Sequence, residues 1–370
     1  MTPLPAPADT PLLGHLWRWT HDPLDLLAAG ARTGPVFGLR LWRPVVVGYR
    51  PDWNRAVLGD LDTFRSRGSL AGLTPYLSGG VVGSDVPAHD RRRAELNPHF
   101  HSRAVAGVPL EPVVERHLVT GVFEALEWSA RAVRDMLNTA FFAGRLPDPL
   151  LARFLAPLHR SNPAPLLPRP RLFRRVDAAI ARVLADPPVG SLAAALSGMD
   201  NAVEEARVAL AAGYDTTTHT LAWALWHLAG APTWRRPEHL PAVLDEVLRL
   251  YPAGWLGSRV ARRNATVAGV DIPAATLILY SPYLTHRDPL LWRDPDGFHP
   301  ERFTEGRPAW GFIPFSAGRR TCLGVHLARR MLIAALEPFC DGRLARLTGD
   351  PTIMAGITLR PRGPLWLARC

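Results

Sequence analysis

The chain has 370 residues with 43 basic and 33 acidic side chains, a net charge of +10, 47% hydrophobic and 21% charged residues. That balance excludes disorder, and the length suffices for a large core in one big domain or two ordinary ones. Every basic residue is arginine, interleaved with acids and without a zinc-finger or basic-zipper pattern, so the charge points to genome-wide composition and away from nucleic acid.

The opening, MTPLPAPADTPLLGHLW, has Pro and Asp where a secretory leader has a basic end and an apolar stretch. No apolar run approaches the ~18–20 residues of a membrane span, so a soluble, cytoplasmic protein is expected. VFGLRL and PVVVGY, flanking Trp42 and Arg43, read as a β-hairpin. Residues 87 to 160 are mostly helical in pattern and include DVPAHDRRRAELNPHF, where His89 precedes Arg93 by four positions; Arg91 and Arg92 are expected to face solvent. NPAPLLPRPR (Asn162 to Arg171) has four prolines and must be a connecting loop. A helix is expected from about Leu172 to Ala185.

From about Asn201 to Ala229 runs a long, largely apolar pattern without proline. As a helix it would be about 40 Å long, enough to cross a whole domain as a central pillar. Within it lies AAGYDTTTHT. Gly213 leaves a gap in the helix wall, and Asp215 and Thr216 set a carboxylate beside a hydroxyl. The plain reading is a helix whose Thr hydroxyls bond back to the preceding turn. In DEVLRL, Glu246 and Arg249 are three apart and share a helix face. Beyond Pro252, short β-like pieces alternate with turns. FSAGRRTCLG (Phe315 to Gly324) then precedes a last helix with Val325, Ala328, Leu332, Ala335 and Phe339 along one stripe. The expectation is a single domain over 1–370, mainly α, with a smaller β-rich lobe mostly from 30–60 and 255–285.

The cysteines, Cys322, Cys340 and Cys370, are too few and scattered for a disulfide framework or a zinc cluster. Cys322 stands out. It lies at the foot of the last helix, where free N–H groups and the helix dipole favour a thiolate, with Arg319 and Arg320 adding positive charge. Gly318 and Gly324 relieve the backbone of a tight loop. Such a thiolate could be an iron ligand or a nucleophile, and His326 one turn on has nothing to orient it as a base.

The spacing F-x-x-G-x-R-x-C-x-G at Phe315, Gly318, Arg320, Cys322 and Gly324 resembles the haem-binding loop of the cytochrome P-450 family. The resemblance implies haem b with an axial thiolate from Cys322, under a long central helix, and electron donation from sulfur that favours O–O cleavage. It implies that Arg320 pairs with a haem propionate, as would His89, Arg93 and Arg259. AGYDTT (Ala212 to Thr217) resembles the family's A-G-x-D/E-T-T oxygen-binding kink, which implies proton delivery by Asp215 and Thr216. Glu246 and Arg249, completed by Arg302 of FHPERF, resemble a buried structural triad behind the cysteine loop. Family position also implies pocket-lining roles for Leu70, Leu73, Tyr76, Leu210, Trp255, Leu256 and Ile357.

The chain looks short for that family, with the shortfall between about Phe100 and Ser161, where the substrate roof is built. The proline-rich loop and LFRRVDAAIARVLAD resemble the roof of members that oxidise long lipids, a lean towards fatty acids or isoprenoids, including carotenoids. The implied activity is a monooxygenase acting on a hydrophobic small molecule. Electrons would come from a separate ferredoxin- or flavodoxin-type donor and its reductase, docking on the face with Arg319, Arg329 and Arg330. The alternatives are a peroxide-driven peroxygenase, a haem protein used for sensing or scaffolding, and a haem-free binding module.

Overall fold

The computed structural model describes residues 4–70, 76, 79–159 and 169–370. Helices come in chain order as α1 (Leu16–His21), α2 (Pro23–Ala31), α3 (Pro51–Gly59), α4 (Ala88–Phe100), α5 (Ser102–Val105), α6 (Glu111–His117) and α7 (Ala125–Phe142). There follow α8 (Asp148–Leu155), α9 (Pro170–Ala185), α10 (Leu192–Leu196), α11 (Ala202–Gly230), α12 (Leu240–Leu250), α13 (Pro282–Thr285) and α14 (Val325–Leu336). The pillar is α11. Its first turn carries Glu204 and Glu205, which suit the positive end of the helix dipole, and beyond Leu221 nearly every side chain is buried. Such a helix is stabilised by neighbours on all sides, here chiefly α7, α9, α12 and α14.

The early hairpin forms as expected: β1 (Val36–Arg40) pairs antiparallel with β2 (Pro44–Gly48), leaving Trp42 and Arg43 in the turn. These strands join β3 (Phe64–Arg65), β5 (Gly257–Ala261) and β8 (Leu277–Tyr280) in a sheet of order β1-β2-β8-β5-β3, which carries the beginning and the later third of the chain side by side. Two short strands, β6 (Ala265–Val267) and β7 (Val270–Ile272), make a separate hairpin.

One boundary of the expected β-rich lobe is wrong. The last 27 residues are not part of a helical lobe: β9 (Leu344–Gly349) and β12 (Leu365–Arg369) form a sheet with β4 (Gly121–Glu124), and β10 (Ile353–Ala355) pairs with β11 (Leu359–Pro361). Their strands are three to six residues long and largely half-exposed, so no clean alternation marks them in the sequence. The β10–β11 hairpin matters for function, because its turn reaches α11. The proline-rich loop lies outside the described residues from 160 to 168, and α9 begins at Pro170, two residues ahead of the expected start.

Candidate functional site

Between α11, the segment 313–324 and the sheet edge lies a cavity of about 1070 Å³. One wall is the inward face of α11, with Ala212, Gly213, Thr216, Thr217 and Thr220; the opposite wall is the cysteine loop with Phe315, Arg320, Cys322 and Gly324. The sequence motifs, 100 residues apart, therefore meet across one void.

The cysteine loop is built by backbone bonds. The Cys322 N–H donates to the Phe315 carbonyl at 2.8 Å and the Thr321 N–H to Gly318 at 3.1 Å. Gly318 has φ +62°, and a Cβ there would lie 3.2 Å from both the Leu58 carbonyl oxygen and the Trp310 ring, so glycine is required. Gly324 is different: its φ is −84° and a Cβ would meet nothing within 4 Å. Its bare face looks onto the cavity. His286, fully buried, anchors the start of this loop by accepting the Ile313 N–H at Nε2 (2.9 Å) while its Nδ1–H donates to the Arg249 carbonyl (3.2 Å).

The surroundings of Cys322 differ in part from those expected. Gly324 caps α14, so the cysteine stands two residues before the cap, and Arg319 pairs with Asp90 while Arg320 bonds Ser84 and Asp85. Burial pushes the thiol above its ordinary pKa; the Gly324 N–H and the Arg93 charge act in the opposite sense but are smaller. A coordinated metal ion would hold this sulfur as the thiolate. The side chain is open towards the cavity. Among the described residues no three His, Cys, Asp or Glu side chains gather into a metal site.

The far end of the cavity tests what group would fill it. His89, Arg93, Arg259 and Arg320 all line it. Arg259 is 8% exposed, bonds the Ser258 carbonyl at 2.7 Å and lies over the Tyr280 ring; among the described residues neither its buried Nε nor that of Arg320 has a hydrogen-bond partner. Burial, with the Arg259 charge second, lowers the Arg320 pKa to about 10. Two buried guanidinium donors left unsatisfied are costly, and carboxylates entering the cavity would satisfy them. The residues present thus fit haem b: a sulfur ligand at one face and cations for two propionates at the edge. His89 is buried with Nδ1 3.0 Å from Asp90, and burial lowers its pKa. Arg92, expected to face solvent, is half-buried and bonds the Gly79 carbonyl and the buried Glu205.

On the α11 wall the helix is assigned as α-helix without a break from Ala202 to Gly230. The Thr216 hydroxyl donates back to the Ala212 carbonyl at 2.7 Å, the plain arrangement for a helical threonine. A Cβ on Gly213 would sit 3.1 Å from Leu137, so glycine also permits the close approach of α7. Asp215 is 2% exposed and lies behind the wall, accepting a bond from Thr358 in the β10–β11 turn at 2.9 Å.

Behind the cysteine loop, the structure brings Glu246, Arg249 and Arg302 together. Glu246 accepts Arg249 Nε and Nη2 at 2.7 and 2.8 Å, Arg302 Nε at 3.2 Å and the His299 N–H at 2.8 Å. Arg249 is satisfied further by the carbonyls of His286, Pro295 and Gly297.

Of the pocket candidates, Leu70, Trp255, Leu256 and Ile357 line the cavity. Tyr76 and Leu210 do not: Tyr76 packs between Phe154 and Phe173, and Leu210 is fully buried in the helical core. Leu73 lies outside the described residues. Sequence reasoning missed much of the apolar wall, including Val81, Leu96, Phe100, Leu137 and Phe141. Leu96 and Phe100 lie on the His89–Arg93 helix at spacing seven and eleven from His89, a signal that was available.

A profile of the cytochrome P450 family matches residues 238–339, which hold the Glu–Arg pair and the cysteine loop. Among curated proteins the chain resembles cyclooctatin synthase of Streptomyces melanosporofaciens, 28% identical over 86% of this chain and 84% of that one. It also resembles cyclooctat-9-en-7-ol 5-monooxygenase of the same organism, 27% identical over 87% and 85%. Among solved structures a retinoic acid-bound cyanobacterial cytochrome P450 superposes with a TM-score of 0.85 at 23% identity, covering all of both chains. A six-coordinated cytochrome P450 from Thermus thermophilus gives 0.79 at 23% identity, covering 94% of this chain and 98% of that one.

Proposed function

The chain belongs to the cytochrome P450 family, and on that premise we propose that it is a monooxygenase of an apolar small molecule, reduced by a separate ferredoxin- or flavodoxin-type protein. It is an oxidoreductase whose cofactor is haem b on a cysteine thiolate. The observation that carries the reading is one void with a lone cavity-facing thiol at one side, unsatisfied arginine donors at its edge and an apolar wall above.

In this reading the Cys322 thiolate would hold the haem iron, and Arg93, Arg259, Arg320 and His89 would hold the propionates. Bound haem supplies the reduction and cleavage of dioxygen. The protein supplies position, dryness and protons. Val81, Leu96, Phe100, Leu137, Phe141, Trp255, Leu256 and Ile357 exclude water and orient an apolar substrate. The Thr216 hydroxyl, on the wall facing Cys322, holds a proton donor's position once it leaves the Ala212 carbonyl. Asp215, one residue away, replenishes that proton from behind the wall. For substrate class, the apolar wall and the relatives named for cyclooctatin and cyclooctat-9-en-7-ol favour a terpenoid-like molecule.

The test is spectroscopic first. Reduced, carbon-monoxide-treated protein should show the red-shifted absorption of a thiolate-ligated haem, and Cys322→Ala should lose it while keeping its far-ultraviolet circular dichroism. Retention of the band by Cys322→Ala would refute the assignment. Product from oxygen, NAD(P)H and a reductase system but little from peroxide alone supports the monooxygenase reading; the reverse yields would replace it with a peroxygenase.

A further inference from the structure

We infer that Thr358 and His219 are positioning residues for Asp215: together they form a buried, directional hydrogen-bond mount that fixes the carboxylate behind the helix wall. The inference rests on the reading of Asp215 as a proton source given above.

The three side chains are each 2% exposed, so their mutual bonds are not shared with bulk solvent. His219 lies one helical turn after Asp215, with Nδ1 3.0 Å from the Asp215 carbonyl oxygen and 2.8 Å from Thr358 Oγ1. A carbonyl oxygen can only accept, so Nδ1 must carry hydrogen. Thr358 has one hydroxyl proton, and it points to Asp215 Oδ2 at 2.9 Å. The single Nδ1–H is thus shared between the Asp215 carbonyl and the Thr358 hydroxyl oxygen, whose own proton goes to the Asp215 carboxylate. His219 Nδ1 is also 3.5 Å from Asp215 Oδ1, so the imidazole lies beside the carboxylate as well. Arg360, two residues beyond Thr358, feels the Asp215 charge as well.

The support is itself held in place. Trp255 Nε1 donates to the Gly356 carbonyl and Trp223 Nε1 to the Leu359 carbonyl, both at 3.1 Å, so the turn from Gly356 to Leu359 is clamped at both ends by indole N–H groups. Between the clamps, Ile357 forms cavity wall while the next residue sends its hydroxyl to Asp215. A wall position and the mount of the proton source are thus consecutive residues of one rigid turn. A threonine buried only for packing would be served equally by valine. Here valine would remove a buried carboxylate's donor while keeping the shape.

Four variants test this: Asp215→Asn, Thr358→Val, Thr358→Ser and His219→Leu. One readout is product formed per NAD(P)H consumed, with a substrate found by its shift of the haem band. A second does not depend on turnover: the infrared carboxyl band of Asp215, assigned by its loss in Asp215→Asn. Thr358→Val should bind substrate within about twofold of the parent, lower coupling by at least about threefold and shift the band, and Thr358→Ser should restore both. His219→Leu should shift the same band, and it decides the matter should Thr358→Val fail to fold. Asp215→Asn poorly coupled with Thr358→Val coupled as the parent and its band unmoved would overturn the mount alone. Asp215→Asn coupled as the parent would overturn the proton-source reading beneath it.

Discussion

Glu246 and Arg249 are both fully buried, and the carboxylate is shared between two guanidinium groups and a backbone N–H. Removing one partner of such a pair leaves an uncompensated charge in a dry interior, at a cost of about 3–5 kcal/mol. Glu246→Ala is therefore expected to unfold at markedly lower denaturant concentration than the parent, with loss of haem before global unfolding, since Arg249 also bonds the His286 carbonyl on the segment that anchors the cysteine loop. A midpoint within a few tenths of molar of the parent would contradict it. The neighbouring acid was not legible in sequence: Asp245 is also fully buried, and it holds Arg307 and Arg329 from two other segments. DEVLRL shows which residues share a helix face but not which long-range cations will reach each of them, because those come from 60 and 80 positions away.

At the scale of elements, the strong periodic patterns were readable and the short ones were not. The α11 pattern, predicted over 201–229 and found over 202–230, is long enough for its apolar run to decide the element. The hairpin at 36–48 was equally plain. The strands from Leu344 on were missed because two have only three residues and the longer two show no clean alternation of buried and exposed positions, and with them went Thr358, whose proposed role depends on a turn landing against α11. Loop segments also draw stability from groups that sequence cannot weigh, and His286 is the case in point. Its burial, aided by the charges of Arg249 and Arg287, lowers its pKa to about 3 from 6.5. The folded state thus needs the neutral ring. This contribution is fully present above about pH 6.5 and is lost as pH falls from there towards about 3, by at most ~1.4 kcal/mol per pH unit. Buried His227, also lowered to about 3, adds in the same sense. Unfolding free energy measured by denaturant at pH 7.5 and 5 should fall, and His286→Gln should show a smaller fall over the same interval; equal falls in both proteins would remove His286 from the account.

For the whole molecule, the net charge of +10 has to be placed before it can be interpreted. Arg329 and Arg330 were expected to form a docking surface for an acidic electron donor, but Arg329 is tied to buried Asp245, and Arg330 to the Val105 carbonyl and Glu111. Reversing Arg329 would drive a carboxylate against Asp245 and destabilise the fold whatever docks outside. The same loop-and-helix face offers better probes. Arg319 is half-exposed, and its pair with half-exposed Asp90 is a surface pair worth roughly 0–1 kcal/mol. Arg103 is exposed on α5, which packs on α14, and has no ion pair among the described residues. If an acidic protein approaches over Cys322, charge steering acts on its association rate and is screened within about 10 Å at 0.1 M salt. The double variant Arg103→Glu, Arg319→Glu should therefore slow reduction by a ferredoxin on the order of tenfold at low ionic strength. The difference should shrink as salt is raised, with the melting temperature and the carbon monoxide band unchanged. Reduction at the parental rate at low salt would mean that the donor docks on another face.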